Sequence, residues 1–296
     1  MKKKVLFKEF VLIIVTIIWG GGFIFQSLGG KLLSPFTLNF LRSILASVFL
    51  FVLILINKPL KNTTSKVNYK SLILGGFLMG IALATASVLQ QIGINNEGAG
   101  KSGFLTSLYV IFVPFIGLLF KNKLTIKALF AAILSLIGLY LINYSNAYFS
   151  FSYGSICLIL CAFCFAFQII FIDKFSKNNN PLVLSFIQFL TCTIIYLPLA
   201  LIFEIKDFNS DVFIKSLPSI LYLGIGSSGV AYTLQVYAQK NVNATVSTII
   251  MSLESVFSLI FGILFLKESH TLIQYIGCLV IFTSVIFSQI EIKQKK

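Results

Sequence analysis

Residues 244–266, ATVSTIIMSLESVFSLIFGILFL, are long and apolar enough to cross a bilayer as one helix, yet Glu254 lies close to their centre. A carboxyl group at that depth is costly. Such groups usually face an interior cavity and act on a solute or on a proton. The stretch therefore predicts a membrane helix that contributes a polar group to a site inside the protein.

The stretch has a second copy in the chain. Shifted back by 145 positions, residues 244–265 align with residues 99–120, AGKSGFLTSLYVIFVPFIGLLF, and Tyr109 takes the position of Glu254. The repeat continues at offsets of 145 and 146 through polar and proline positions, which chance agreement among apolar residues does not explain. These matches include Lys31/Lys177, Pro35/Pro181, Gln90/Gln235 and Asn96/Asn241. We predict two repeats of five helices each, residues 1–146 and 147–296.

The composition is that of a protein embedded in the bilayer. Of 296 residues, 57% are hydrophobic and 11% are charged, whereas soluble domains carry about 25% charged residues. We expect an all-α integral membrane protein, and since five spans per half is an odd number, the second half enters the membrane inverted. The ten predicted spans are 10–28, 36–56, 71–92, 100–120, 124–143, 153–172, 182–203, 213–238, 244–266 and 271–290.

The lysines predict the orientation. With the N-terminus inside, 17 lysines lie in inner segments and 5 in outer ones, which favours a multi-pass protein with both termini in the cytoplasm. The same loop positions account for the net charge of +14 without nucleic-acid binding. The lysine-rich start, MKKKVLFKEF, precedes an apolar run too long for a signal peptide, so we predict an uncleaved first span.

The five cysteines predict neither disulfides nor a metal site. They are odd in number and all lie in apolar segments. Cys157, Cys161 and Cys164 share a helix face, but no His, Asp or Glu joins them there, so we expect them to act as packing residues. We expect no metal and no cofactor.

Several motifs resemble one known family over essentially the whole chain. They are Trp19-Gly20-Gly21-Gly22-Phe23, Pro35 ahead of FLRSILA at 40–46, AGKSGFLTSLY at 99–109 with Pro114, and SLESVF at 252–257 followed by Lys267-Glu268. Their order and spacing resemble the EamA-type family of the drug/metabolite transporter superfamily. Two departures are Ser255, where that family often has proline, and Phe165-Ala166, where Trp-Ala is usual.

The resemblance implies a fold and a function. It implies ten helices in two inverted repeats, a central cavity lined mainly by spans 1, 3, 4, 6, 8 and 9, and no bound cofactor. It also implies export of small metabolites, often amino acids or their derivatives, from a bacterial inner membrane.

Polar residues inside the spans are the first candidates for the site. Glu254 is the candidate proton-coupling group, with a structural carboxyl bound to a neighbouring helix as the alternative. Arg42, about six residues into span 2, suits a carboxylate-bearing solute, and it equally suits snorkelling to the head groups. Gln90 and Gln235 occupy matching places and are predicted either to gate the cavity or to join helices. Gln168 lies deeper in span 6.

A second group of candidates supplies aromatic or small polar walls. Trp19 and Tyr109 lie deep in their spans, away from the interfacial belts where Trp and Tyr are usually found. For the small residues close packing is the competing interpretation. The predicted cavity-lining residues of this group are Trp19, Phe23, Ser102, Thr106, Tyr109 and Tyr232.

The glycines and the single histidine give three further expectations. Gly20–Gly22 beside Trp19 are predicted to loosen span 1 into a hinge. Gly76 and Gly80, a GxxxG pair, are predicted to allow close helix contacts. His270, the one histidine, is predicted to be interfacial.

Transport is the function that these features favour. An integral-membrane enzyme requires paired deep acids, a metal motif or a nucleophile with its base, and the sequence has one deep acid and one histidine. We expect alternating access by a monomer or a weak homodimer in the lipid bilayer, acting on a small molecule. The alternative within transport is a nucleotide-sugar or lipid-intermediate translocator.

Overall fold

The computed structural model describes residues 2–60, 68–120, 125–144, 152–204, 209–266 and 271–289. Within these ranges the chain is almost wholly helical and forms no strands. The ten spans follow one another with short connections. Their helices are Lys2–Gly30, Pro35–Asn57, Tyr69–Glu97, Ala99–Thr106 with Tyr109–Leu119, Ile126–Ile142, Tyr153–Phe175, Pro181–Phe203, Ser210–Leu221 with Tyr222–Ala231 and Tyr232–Gln239, Ala244–Met251 with Leu253–Leu266, and Leu272–Gln289.

The spans have the length that a bilayer requires. Eight are long and apolar enough to cross it, and spans 5 and 10 are shorter apolar helices. Span 5, Ile126–Ile142, has 17 residues, the lower end of the range of about 17–25 for a membrane helix. The predicted all-α membrane fold is confirmed. The predicted boundary at residues 146/147 falls outside the described residues and stays a prediction. Lys267, Glu268 and His270 also lie outside them.

Equivalent spans of the two halves pack against each other in opposite directions. At the start of span 2, the ring of Phe36 lies 6.1 Å from that of Phe203 at the end of span 7. Further along, Phe51 of span 2 meets Phe186 near the start of span 7, with ring centroids 5.9 Å apart. Because these spans are repeat equivalents and run antiparallel, the second half is inverted relative to the first.

Spans 5 and 10 show the same relation. Lys127 Nζ, at the start of span 5, donates to Ser288 O at the end of span 10 over 3.2 Å. At the other end Gln274 Nε2 donates to Ile142 O over 2.9 Å. This second antiparallel pair of equivalents confirms the inverted repeat.

Two contacts between repeat mates mark the pseudo-two-fold axis. The hydroxyls of Ser47 and Thr193, 146 positions apart, lie 3.3 Å from each other between spans 2 and 7. Tyr109 Oη donates to Glu254 Oε1 over 3.1 Å, and these residues are 145 positions apart. Residues related by a two-fold operation touch each other only near its axis, so Glu254 lies where the two halves meet.

Matching spans 4 and 9 are broken at matching places. Span 4 is interrupted at Ser107–Leu108, where Leu108 lies six residues before Pro114, and span 9 is interrupted at Ser252. Span 9 has no proline there. Instead Ser252 Oγ donates to Ile249 O over 2.6 Å, the kind of backbone bond that bends helices.

The glycines serve close packing. Span 1 is one continuous helix through Gly20–Gly22, so the structure contains no break at the predicted hinge. A Cβ at Gly20 would lie 2.6 Å from Phe257 Cβ, which shows that span 9 approaches the backbone here. The Gly76 and Gly80 prediction is confirmed, because added Cβ atoms would lie 2.5 Å from Ile187 Cβ and Thr191 Cβ of span 7.

The crossing of spans 5 and 10 gives a test of this packing. A Cβ at Gly138 would lie 2.8 Å from Gly277 O and 2.7 Å from Ile281 Cγ1. We predict that Gly138→Ala destabilises the protein by about 1–3 kcal/mol through overpacking, read as a lower melting temperature in detergent. The control is Gly226→Ala, whose nearest neighbour would be Ile18 Cγ2 at 4.0 Å. Equal melting temperatures for the two variants would contradict the tight crossing.

Candidate functional site

A cavity lies at the junction of the two halves, around the axis. It holds about 500 Å³ of space between the side chains, part of it open to the outside. Its walls come from spans 1, 2, 3, 4, 6, 8 and 9. The lining residues are Trp19, Gly22, Phe23, Gln26, Arg42, Gln90, Thr106, Tyr109, Phe165, Gln168, Ile169, Ser227, Tyr232, Gln235, Met251 and Glu254.

The carboxyl group of Glu254 is held at the break in span 9. Ser252 ends the first segment, and Glu254 lies in the first turn of the second. Negative charge is favoured at that position because the first backbone N–H groups of a helix have no partners within it. The side chain is 5% exposed and accepts its bond from Tyr109 Oη. Glu254 is therefore a buried carboxyl with a defined neutral donor.

Arg42 brings a positive charge to the same cavity. The residue is 6% exposed. Nε donates to Ser228 Oγ over 3.0 Å, and Nη2 donates to Ser227 Oγ over 3.3 Å. Both serines are neutral, and among the described residues no ion pair joins Arg42 to Glu254. The cavity thus presents one cation and one carboxyl that do not neutralise each other by direct contact.

The serines that hold Arg42 lie in an unusual segment of span 8. Residues Tyr222–Ala231 form a π-helix, a geometry that is often found at functional sites. Its wider turns let Ser227 O accept the backbone N–H of Tyr232 five residues on. The same carbonyl oxygen accepts Trp19 Nε1 from span 1 at 3.4 Å.

Aromatic rings form another part of the wall. The Trp19 ring lies 4.8 Å from that of Tyr232, and Tyr232 also packs edge-on against Phe189 of span 7 at 5.5 Å. Phe23 and Phe165 complete the apolar side. Aromatic faces of this kind suit an apolar or cationic portion of a small molecule.

Amide side chains line the remaining surface. Gln26 Nε2 donates to Gln90 Oε1 over 3.0 Å and joins spans 1 and 3. Gln168 Nε2 donates to Gln188 Oε1 over 3.3 Å. Two amide oxygens, Gln168 Oε1 and Gln235 Oε1, are buried and have no partner among the described residues. They are acceptors that a solute or water can satisfy.

The structure brings together all the residues predicted from the sequence except Ser102. Ser102 lies outside the lining, and its hydroxyl donates to Gly98 O over 2.6 Å. The residues that the sequence analysis did not propose for the lining are Gly22, Gln26, Phe165, Ile169, Ser227 and Met251. Gln26 carried a usable signal, because it is an amide inside an apolar span. Nothing in the sequence marked Ser227 as a lining residue, since its position in the cavity wall depends on the π-helix.

Comparison with known proteins agrees with this architecture. The sequence profile of the EamA-like transporter family matches residues 6–144 and again residues 152–289. The chain belongs to the EamA-like transporter family. The two matches cover one half of the ten-span bundle each.

Individual relatives are similar over nearly their whole length. A protein named an uncharacterized transporter from Archaeoglobus fulgidus is 28% identical over 98% of this chain and 88% of its own. The uncharacterized transporter YoaV of Bacillus subtilis is 22% identical over 96% of this chain and 97% of its own. A solved crystal structure superposes with a TM-score of 0.75 at 14% identity, covering 98% of this chain and 97% of its own. The general role of the chain is transport across a membrane.

The cavity has a natural reporter, because Trp19 is the only tryptophan in the sequence. We predict that a solute entering the cavity changes the intensity or the wavelength of Trp19 emission, since the ring lines the wall beside Tyr232. Titration of the purified protein with candidate solutes measures this. Trp19→Phe keeps an aromatic wall and removes the signal. A transported solute that leaves the emission of the native protein unchanged would contradict the placement of Trp19.

Proposed function

We propose that the protein exports small zwitterionic or amphipathic metabolites, amino acids or related solutes, by alternating access of its two halves. The single observation that carries the proposal is the charge of the cavity wall. Arg42 is its one cation and Glu254 its one acid within the described chain. An α-amino acid has one carboxylate and one ammonium group, so it complements both.

The rest of the wall supports the same class of solute. A guanidinium binds a carboxylate through paired N–H donors, and Arg42 has donors beyond the two that bind Ser227 and Ser228. The aromatic rings of Trp19 and Tyr232 offer a surface for an apolar side chain. Most nucleotide sugars carry two phosphates, for which a single arginine is a poor match, so the amino-acid class is favoured.

The proposal includes the site of energy coupling. Glu254 lies on the pseudo-two-fold axis with Tyr109, and a group on that axis keeps the same relation to both halves when they exchange conformations. One carboxyl is then able to meet each side of the membrane in turn. We propose that Glu254 carries the proton that drives transport.

The membrane and the orientation belong to the same proposal. The distribution of 17 inner and 5 outer lysines supports a bacterial cytoplasmic membrane with both termini in the cytoplasm. Export is the direction implied by the family resemblance. We propose a monomer or weak homodimer as the working unit.

The coupling role is tested with Glu254→Gln, which keeps the shape of the side chain and removes its titration. In proteoliposomes we expect the variant to retain counterflow exchange of an amino acid and to lose uphill movement driven by a pH gradient. Glu9→Gln in span 1, a carboxyl outside the cavity, is the matched control and should retain both. Gradient-driven uphill transport by Glu254→Gln would overturn the coupling role. Native transport that ignores the gradient would indicate a facilitative carrier.

The solute class is tested at Arg42. Counterflow of a labelled amino acid is competed with the same amino acid, its carboxamide and its decarboxylated amine. We expect the native protein to prefer the carboxylate form, and Arg42→Gln to lose about tenfold or more of that preference, as expected for a charged hydrogen bond of about 1.5–3 kcal/mol. Glutamine is chosen because it is the residue at position 188 of span 7, the repeat equivalent of Arg42. An unchanged preference would contradict the carboxylate role. Failure of every amino acid would favour nucleotide sugars or lipid intermediates.

A further inference from the structure

A set of buried polar side chains lies between spans 6, 7 and 8, and these residues form a column leading away from the cavity. We call them the second-half column. All are at most 1% exposed. Its members are Gln168, Ser176, Ser185, Gln188, Gln235 and Gln239.

The depths of these residues place them in three levels. Ser176 directly follows span 6, and Gln239 ends span 8. Ser185 lies four residues inside span 7, and Gln235 lies four residues before the end of span 8, about 6 Å from this end of the bundle at about 1.5 Å per residue. Gln168 and Gln188 share a hydrogen bond still deeper. Gln168 and Gln235 also line the cavity, so the column joins the cavity to the membrane face where span 7 begins.

The helices of the column are in contact. The last segment of span 8, Tyr232–Gln239, packs against span 7, against span 6 and against the turn Ser176–Asn178 that follows span 6. On span 7, Ser185 and Gln188 are three residues apart and share a face. On span 8, Gln235 and Gln239 are four apart and share a face.

Every member of the column has at least one polar atom without a partner in the described ranges. The atoms are Gln168 Oε1, Ser176 Oγ, Ser185 Oγ, Gln188 Nε2, Gln235 Oε1, and both Nε2 and Oε1 of Gln239. Buried polar groups in proteins are almost always hydrogen-bonded, because an unsatisfied one is destabilising. A concentration of them along one line is therefore unexpected for a dry helix interface.

The other half of the protein provides an internal comparison. The repeat mates of Ser185, Gln188 and Gln235 are Asn39, Arg42 and Gln90. These three are also buried, at 1%, 6% and 8% exposed, and none has a fully buried polar side-chain atom without a partner in the described ranges. Asn39 Nδ2 donates to Pro35 O at 2.9 Å, Arg42 binds two serines of span 8, and Gln90 accepts from Gln26.

We propose that the second-half column is the route by which water and the polar groups of the solute pass between the cavity and the membrane face where span 7 begins. Side chains whose task is to bind a passing polar molecule need donors and acceptors that are not already used within the protein. In the mate positions the polar side chains are bonded within the protein. The column contains no charged residue, so it suits a neutral or zwitterionic solute and the water that accompanies it. The proposal rests on the transport function proposed above.

Accessibility to a small polar thiol reagent tests the route. In a full-length background with the five native cysteines replaced by alanine, Ser185→Cys and Gln239→Cys are reacted with a positively charged methanethiosulfonate. The matched control is Ser284→Cys in span 10, equally buried and bonded to Ile281 O at 2.7 Å. We expect the column positions to react about tenfold or more faster than the control, as reactivity follows access to water. Reaction at the control rate would overturn the route.

A second measurement does not depend on the cysteine-free background. Gln239→Met replaces two unpartnered polar atoms with an apolar chain of similar shape. We expect an unchanged or higher melting temperature, together with transport slowed by about fivefold or more, because the groups that bind the passing solute are removed. Asn39→Leu, by contrast, breaks existing bonds and should lower the melting temperature. Unimpaired transport by Gln239→Met would overturn the route.

The two proposals fail separately. Fast reagent access without amino-acid transport would keep the route and change the solute. Amino-acid transport with slow reagent access at both positions would keep the proposed function and reject the route.

Discussion

The hydrogen bond from Tyr109 to Glu254 joins two residues that occupy the same place in the two halves of the chain. Such a contact exists only on the axis that relates the halves, and the broken helices of spans 4 and 9 bring both side chains there. Two carboxyl groups at this point would be like charges in contact, buried away from water. Glutamate in one half and tyrosine in the other removes that repulsion and gives the buried acid a neutral donor. The cavity and its one acid therefore depend on a duplication whose copies differ at the axis.

The axis is fixed by antiparallel packing of equivalent spans. Lipid is as apolar as the helices, so the halves are held together by close packing and interhelical bonds and not by exclusion of water. Small residues allow close packing at the crossing of spans 5 and 10, where Gly138 and Gly277 approach each other's carbonyl oxygens. Polar repeat equivalents form an interhelical hydrogen bond between spans 2 and 7, where the hydroxyl of Ser47 meets that of Thr193. The cavity lies between those surfaces of the two halves that do not pack against each other.

The composition of a membrane protein decides how much of its fold and of its site the sequence can predict. The inverted repeat and the deep residues Glu254 and Tyr109 were readable, because a carboxyl group and repeated polar positions stand out in apolar spans. Which side of each helix faces the cavity was much harder to predict. Both the lipid side and the packed side of these helices are apolar, so periodicity does not separate them. Ser102 was expected in the cavity and instead bonds Gly98. Ser227 was missed, because only the π-helix of span 8 turns its oxygens toward Arg42 and Trp19.

The two halves also differ in where they carry charge. Arg42 in span 2 has Gln188 as its mate in span 7, so the first half has a cation where the second-half column has a neutral amide. If the halves exchange conformations during transport, a carboxylate meets the guanidinium on one side of the cavity and only amides on the other. The attraction would strengthen carboxylate binding on the cationic side, which is the outer side in the proposed orientation, and binding would be weaker on the neutral inner side. Such a difference would make the affinity for a carboxylate unequal on the two sides of the membrane. The divergence of Arg42 and Gln188 thus supplies an asymmetry that a perfect duplication would lack.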